Sequence, residues 1–321
     1  MTFHKDVLKI QPAAVVEELI AALRRDVLQT LRRSGAVVGI SGGVDSSVVL
    51  AFCARALGAQ RVVGVMMPER DSSRDSLVLA RLVADRFGVE AVTEDLAAAL
   101  EGLGCYARRD EAIQRVFPEY TSAFKAKITL PGNVLESDAL NLFYLTIISP
   151  EGEEKSKRLD VRDYLQVVAA TNFKQRSRMA MLYYHAELRN YAVAGTPNKN
   201  EHDQGFFVKW GDGGYDFAPI RHLYKTQVLQ LAEYLEVPRE IREATPTTGT
   251  YSAPTSQEEF FFRMPFEVMD LLSYAMDHHV PVSEVAQAMD LTEEQVRRAF
   301  TDLARKQRGT QYLRIPPIGY G

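Results

Sequence analysis

The chain has 321 residues, 46% hydrophobic and 25% charged, with two cysteines; this composition excludes disordered, collagen-like and disulfide-scaffold classes. Lys+Arg 38 against Asp+Glu 42 gives a net charge of −4, so no overall positive field recruits nucleic acid or an anionic membrane, and any polyanion must be met by a local site. No run of about 18 uncharged apolar residues could span a bilayer and the polar start, Met1 to Asp6, lacks a signal-peptide pattern, so the expectation is a cytoplasmic protein with Cys53 and Cys105 reduced.

From Ala13 to Leu31, Val15, Leu19, Ile20, Leu23, Val27 and Leu31 recur at helical spacing. Ala36 to Ile40 is a short continuous apolar run, the pattern of a strand buried on both faces of a parallel sheet. A helix over Ser46 to Leu57 and a second run, Val62 to Met66, complete a βαβ unit with a right-handed crossover. Ser73 to Phe87 reads as the next helix and Val89 to Thr93 as the third strand. Residues 101–165 carry a charge cluster at Glu151 to Lys157, a Pro131-Gly132 turn and no clear period, and are expected to be an irregular insertion. Regularity resumes with a helix over Asn172 to Arg189, a fourth strand over Tyr191 to Gly195, a short fifth strand at Asp216 to Ala218, and a helix from Tyr224 to Leu235 that ends before Pro238. Pro265 to Lys306 reads as two or three short helices. The expected architecture is one domain over residues 1–321: a doubly wound, Rossmann-like α/β fold with a mainly parallel sheet, the insertion at 101–165 and a helical C-terminal region at 265–310.

The most informative segment is Ser41-Gly42-Gly43-Val44-Asp45-Ser46-Ser47, between the first strand and the following helix. Two glycines let backbone N–H groups turn inward toward an anion at the helix N-terminus. Ser41, Ser46 and Ser47 add hydroxyls. Asp45 would repel a phosphate unless a divalent cation lay between them, and Mg²⁺ held by one or two carboxylates plus phosphate oxygens is the usual arrangement. The plain alternative is a Gly-Gly turn whose Asp and Ser cap the next helix. The spacing is neither a Walker A loop nor GxGxxG, which weakens kinase and NAD-oxidoreductase readings.

This loop after a first strand resembles the pyrophosphate loop of the N-type ATP pyrophosphatases, the adenine nucleotide α-hydrolase superfamily. A succession of further segments narrows the resemblance: Met67-Pro68, then Asn172 to Met179, Gly195-Thr196 to Glu201, Gly205 to Gly214, and Leu223 to Val228. Together they resemble the NAD synthetase family, in its ammonia-dependent form, over about two thirds of the chain.

The resemblance implies a reaction. The carboxylate of deamido-NAD is adenylated by ATP with release of pyrophosphate, and ammonia displaces AMP to give NAD. It implies Asp45 and Glu201 as the Mg²⁺ ligands, and Glu201, just beyond the fourth strand, lies where strand C-termini converge on one sheet edge. Ser41, Gly42, Gly43, Ser46, Ser47, Met67, Thr196 and Lys225, with Arg176 or Arg178, would bind ATP; Lys209 would hold the departing pyrophosphate and Asp212 would orient the amine or the acid. Gly211, Gly213 and Gly214 allow the chain to double back beside a ligand. His185, His202, His278 and His279 read as packing or surface residues, and no Ser-His-Asp or Cys-His set points to a side-chain nucleophile. No glutaminase is supported, so the nitrogen is expected as free ammonia or from a separate donor protein. A homodimer is expected by resemblance alone.

The chain departs from the family pattern near the acid site. Pro197 restricts the loop carrying Glu201. Thr245 to Tyr251 stands for the family's mobile segment, with Thr248 and Thr250 in place of other residues, and Phe260-Phe261-Phe262-Arg263 replaces a small-residue turn. These differences keep open a relative that amidates another carboxylic acid. A reading from another class is a nucleotide-sensing regulator, since Val282 to Arg298 has the outline of a helix-turn-helix.

Overall fold

The computed structural model describes residues 3–130, 132–136, 142–247, 249 and 251–320; Pro131, Thr248 and Thr250 lie outside the described residues. The chain opens with α1 (Pro12–Arg25), prolonged by a wider turn over Asp26–Thr30, then β1 (Ala36–Gly39), α2 (Val44–Leu57), β2 (Val62–Met66), α3 (Arg74–Phe87) and β3 (Glu90–Thr93). After α4 (Ala97–Gly102) and α5 (Cys105–Val116) come β4 (Lys125–Thr129), β5 (Tyr144–Ile148) and β6 (Glu154–Arg158). The long α6 (Val161–Arg189) returns the chain to β7 (Ala192–Ala194). The remainder is helical: α7 (Lys199–Gln204), α8 (Lys225–Tyr234), α9 (Arg239–Arg242), α10 (Phe266–Asp277), α11 (Val282–Met289), α12 (Glu293–Gly309) and α13 (Gln311–Arg314).

The main sheet has the order β3-β2-β1-β7, and its pairs are parallel. Alternation along the strands assigns the two faces. Ala36, Val38, Val62 and Met66 pack with α1, α2, α3 and α8 on one side. Val37, Val63, Val65 and Val193 meet Leu182, Tyr183 and Ala186 of α6 on the other. Both faces are covered, which is why these strands are short continuous runs of Val and Ala. The order reverses at β1: the chain moves outward to β2 and β3, then α6 crosses the opposite face to place β7 on the other side. In such sheets the crevice beyond the strand C-termini at the reversal is the natural ligand site.

Three expectations are corrected. Residues 101–165 are not irregular: β4, β5 and β6 form an antiparallel three-stranded sheet. Its core joins Ile128, Leu145 and Ile147 to Ala112, Ile113 and Phe117. The charge cluster that masked it is strand β6, whose residues Glu154 to Arg158 are all exposed on the open edge, where charged side chains discourage pairing with another chain. The helix expected from Asn172 begins eleven residues earlier, at Val161, capped by the Asp160 carboxylate on Asp163 N–H at 2.8 Å. Val167 near its N-terminal end packs into the antiparallel sheet and Ala186 near its C-terminal end onto the main sheet, so no single apolar stripe runs its length. The fifth strand reduces to one parallel bridge between Ala194 and Phe217.

The helix-turn-helix outline is α11 and α12, but Val285, Val296, Ala299 and Leu303 are buried with Met269 and Leu272 of α10. The pair closes a core. Cys53 and Cys105 are free and buried. Among the described residues no helix is long and apolar enough to cross a membrane.

Candidate active site

A cavity of about 1260 Å³ opens at the reversal point, lined by the loop after β1, the ends of β2 and β7, one face of α6 and part of the antiparallel sheet. The loop shows why its glycines are needed. Gly42 has φ +80°, and a Cβ there would lie 2.5 Å from the Ser76 carbonyl oxygen. Gly43 is the extended N-cap of α2, leaving the first-turn N–H groups without intrahelical partners and facing the crevice. Ser46 and Ser47 hydroxyls both donate to the Gly43 carbonyl, at 3.0 and 2.8 Å. Ser41, Gly42, Gly43, Asp45 and Ser46 line the cavity; Ser47 is fully buried behind them and shapes the turn.

Asp45 in the first turn of α2 pairs with Lys225, a lysine only 1% exposed at the start of α8. Asn198 Nδ2 donates to the other Asp45 oxygen at 3.2 Å. Asn198 also caps α7, accepting from Glu201 N–H at 3.1 Å, while Glu201 accepts from Asn198 N–H at 3.1 Å. Pro197 therefore ends one residue before a reciprocal cap, and the cap orients Glu201. Gln257 Nε2 donates to Glu201 Oε1 at 3.3 Å. Burial, together with the charge of Asp45, holds the Glu201 carboxyl well above the usual carboxylate range, against the pull of Lys225. Two carboxylates side by side at the glycine turn, the charge of one raising the other, are a donor set suited to Mg²⁺. Behind them, buried Asp270 accepts from Thr226 N–H at 2.7 Å and from Asn200, tying α7 and the start of α8 to α10.

Asp212 lies in a tight turn where its carboxylate accepts from Val208 N–H at 2.7 Å. Its side chain is reached from the cavity rather than shielded from solvent, yet the protein mass around that cavity pushes its carboxyl up to about 6, against backbone N–H donors and Arg178. At Gly213 a Cβ would fall 2.4 Å from the Phe207 ring, so the turn closes only on glycine. Lys209 lines the cavity, but its ammonium is held by the carbonyls of Tyr312 and Ile315 at 3.0 and 2.7 Å, in the C-terminal segment rather than at the loop. Met67, Thr196 and Arg176 also line the cavity. Arg176 is exposed, and Arg178 donates to the Met67 carbonyl at 3.3 Å.

Sequence reasoning missed Asn198, Gln257 and Asp270. The Asn198-to-Glu201 spacing is itself a capping signature and could have revealed the first; nothing local marks the other two. It also missed a buried ionic cluster. Lys174 of α6 meets Asp71 at 2.6 Å and Glu69 at 3.2 Å, Arg109 of α5 pairs with Asp71, and Tyr106 donates to Glu69 at 2.8 Å. Although burial opposes it, Lys174 and Arg109 hold the Asp71 carboxyl below its ordinary value. The cluster clamps the loop after β2 against α5 and α6.

The family model described as NAD synthase matches residues 15–117 and 142–314. An NH(3)-dependent NAD(+) synthetase of Mesorhizobium japonicum is 51% identical over 97% of this chain and 97% of its own length, and one of Rhizobium meliloti is 47% identical over 99% and 94%. One of Thermotoga maritima is 34% identical over 84% and 89%. Among solved structures, the NH3-dependent NAD synthetase of Campylobacter jejuni aligns with a TM-score of 0.62 at 20% identity, covering 97% of this chain and 100% of that one, and supports the fold alone. The family match runs through α11 and α12, which leaves the regulator reading without support. With matched segments that cover the main sheet and two strands of the antiparallel sheet, and relatives of nearly equal length at about half identity, the chain belongs to the NAD synthase family.

Proposed function

We propose that this protein is an ammonia-dependent ligase that uses ATP to convert the carboxylate of deamido-NAD to the amide of NAD, releasing AMP and pyrophosphate. The observation that carries the reading is the convergence of Asp45, Glu201 and Lys225 on the N–H-lined turn at the sheet reversal. The loop N–H groups and the start of α2 bind the phosphates of ATP. A carboxylate oxygen of the acid bonds to the α-phosphorus as the bond to the bridging oxygen breaks and pyrophosphate departs. Asp45 and Glu201 would hold a Mg²⁺, which would supply positive charge to offset that developing on the leaving group. Lys225, held on Asp45, would bring a second positive charge to the phosphates bound at the turn. Ammonia then bonds to the acyl carbon, the carbon–oxygen bond to AMP breaks, the nitrogen gives up its extra proton to solvent, and Asp212, ionised above about 6, orients the amine. Met67, Thr196 and Arg176 border the nucleotide, and Lys209 anchors the rim.

The same reading places the protein in the cytoplasm as a homodimer, supported by large apolar side chains exposed at both ends of α6: Val161 and Leu165 at one, Tyr184 and Leu188 at the other. The nitrogen donor is free ammonia or ammonia from a separate protein. The test is a stoichiometry: deamido-NAD, ammonium, ATP and Mg²⁺ should yield NAD, AMP and pyrophosphate in equal amounts. Formation of ADP, or turnover with other carboxylic acids and none with deamido-NAD, would overturn it.

A further inference from the structure

The buried ionic cluster takes no part in the reaction steps above. Glu69 and Asp71 turn their side chains inward from the loop between β2 and α3, toward Lys174 of α6 and Arg109 of α5. The four side chains are 0, 6, 1 and 5% exposed, respectively. Arg109 also donates to Asp110 at 2.9 and 2.7 Å, and Arg70, lying 4.0 Å over the Tyr106 ring, reaches Asp110 at 3.3 Å. Taking such ions out of water costs about what their attraction returns, and apolar residues of the same volume often hold a fold as well or better. An ion cluster adds direction, because each charged hydrogen bond fixes an orientation as well as a distance.

Those orientations converge on one stretch of backbone. Arg70 N–H donates to the Tyr106 hydroxyl at 3.2 Å, Asp71 N–H to Glu69 Oε2 at 3.2 Å, and Glu69 N–H to the Ser72 hydroxyl at 3.0 Å. The outer side of this loop is cavity wall, at Met67, Pro68, Arg70 and Ser72. It abuts the chain around the glycine turn at both of its ends. The Met67 methyl lies 3.3 Å from where a Cβ on Gly39 would stand, and the carbonyl of Ser76, in the first turn of α3, closes on Gly42. Lys174 ties the loop to α6, the helix whose Gln175 and Arg178 share the cavity wall.

We propose that Lys174, acting through Glu69 and Asp71, is a positioning residue for ATP: the cluster sets the loop between β2 and α3 in the conformation that borders the nucleotide. The inference rests on the function proposed above. Holding the fold together is not the cluster's task, since apolar packing would serve that purpose. A loop released from α6 carries Met67 away from the nucleotide and loosens its contacts with Gly39 and Gly42. ATP binding then weakens, while the chemistry of bound ATP keeps its rate.

The experiment reads two variants by thermal melting, by calorimetric titration with ATP and Mg²⁺ in the absence of the acid, and by steady-state kinetics. Lys174→Met leaves Glu69 and Asp71 facing one guanidinium, so its melting temperature should fall by several degrees. Its Kd and KM for ATP should rise about tenfold, the equivalent of one lost hydrogen bond. Its kcat should stay within about threefold of the parent and its KM for ammonium should be unchanged. Adding Glu69→Gln removes one charge of each sign and keeps an acceptor for the Tyr106 hydroxyl. The double variant should melt at the parent temperature or above and still bind ATP about tenfold more weakly. Because the cluster is shielded from water, that factor should be the same at low and high salt. Recovery of stability and ATP affinity together in the double variant would overturn the positioning role. So would an equal loss of kcat and ATP affinity, or an unchanged Kd for ATP. If Lys174→Met fails to fold, the double variant against the parent decides alone. A parent that makes no NAD from deamido-NAD contradicts the proposed function, whereas a normal parent with an unshifted Kd in the double variant contradicts only the positioning role.

Discussion

The two ends of the cavity are built on opposite principles. At the reversal point the side chains come from four short stretches, each at a strand end, a helix start or a tight turn: 41–47, 196–201, 211–214 and 225. Their positions follow from backbone demands, such as the positive φ at Gly42 and the reciprocal Asn198–Glu201 cap. At the far end, Phe124, Phe143, Tyr164 and Tyr251 come from strands, a helix and a loop up to 127 residues apart, joined by a hydrophobic core. Phosphate chemistry leaves a local signature because it uses N–H groups that only particular turns expose. An aromatic wall leaves none, because any aromatic residue that reaches it will serve.

The largest effect that would sharpen this contrast is expected at Asp45. Asp45→Asn should lower pyrophosphate release about a thousandfold and also reduce stability by about 3 kcal/mol, because it strands the buried Lys225 ammonium. Adding Lys225→Met should recover much of the melting temperature without restoring turnover; recovery of both would show that Asp45 is there for the fold. Glu201→Gln is expected to cost about a hundredfold in turnover, to demand more Mg²⁺, and to leave the melting temperature equal or higher, since the amide keeps the capping oxygen and removes a charge disfavoured beside Asp45.

At the other end, Ile128→Ala removes a fully buried side chain of the antiparallel sheet and should cost about 3 kcal/mol in denaturant titration. It should weaken the acid substrate and spare the KM for ATP. Equal damage to both would mean that the two ends are energetically one site.

Asp212 is read by pH. Its carboxyl titrates at about 6, so at fixed free ammonia the parent rate should fall below that pH as the carboxylate gains its proton, and Asp212→Asn should be slower at pH 7 by about tenfold and lose that limb. The raised value also means that ionising Asp212 costs folding stability as pH rises from its ordinary value of 3.8 through about 6. The amide variant should therefore melt no lower than the parent at pH 7. The smallest effect is expected at Ser47, which lies behind the loop: Ser47→Ala should cost about 1 kcal/mol from its bond to the Gly43 carbonyl and change turnover less than about threefold.

Legibility in the sequence followed the same division. Val37, Val63 and Val193 announced their strands because strands buried on both faces admit only apolar residues. Asp45 was legible in the pattern of the glycine turn, whereas Glu201 and Asp212 were singled out only by the family resemblance, and the Asn198 cap that orients Glu201 went unread. The antiparallel sheet was not, because its edge strand Glu154 to Arg158 is charged throughout and α6 changes partners halfway along. Lys209 was legible as a cavity residue, but its attachment to the Tyr312 and Ile315 carbonyls was not; a lysine stem reaches whatever acceptor the fold brings near.

By itself the sequence determined the parallel sheet and the glycine turn after β1, since these depend on local backbone geometry and on burial of short apolar runs. Only the tertiary structure decided that Lys225 is buried against Asp45, that Asn198, Gln257 and Asp270 hold Asp45, Glu201 and α8 in place, and that residues 125–158 fold into a second sheet forming the far wall of the same cavity. Those outcomes depend on contacts between residues far apart in the chain, which no local pattern of residues encodes.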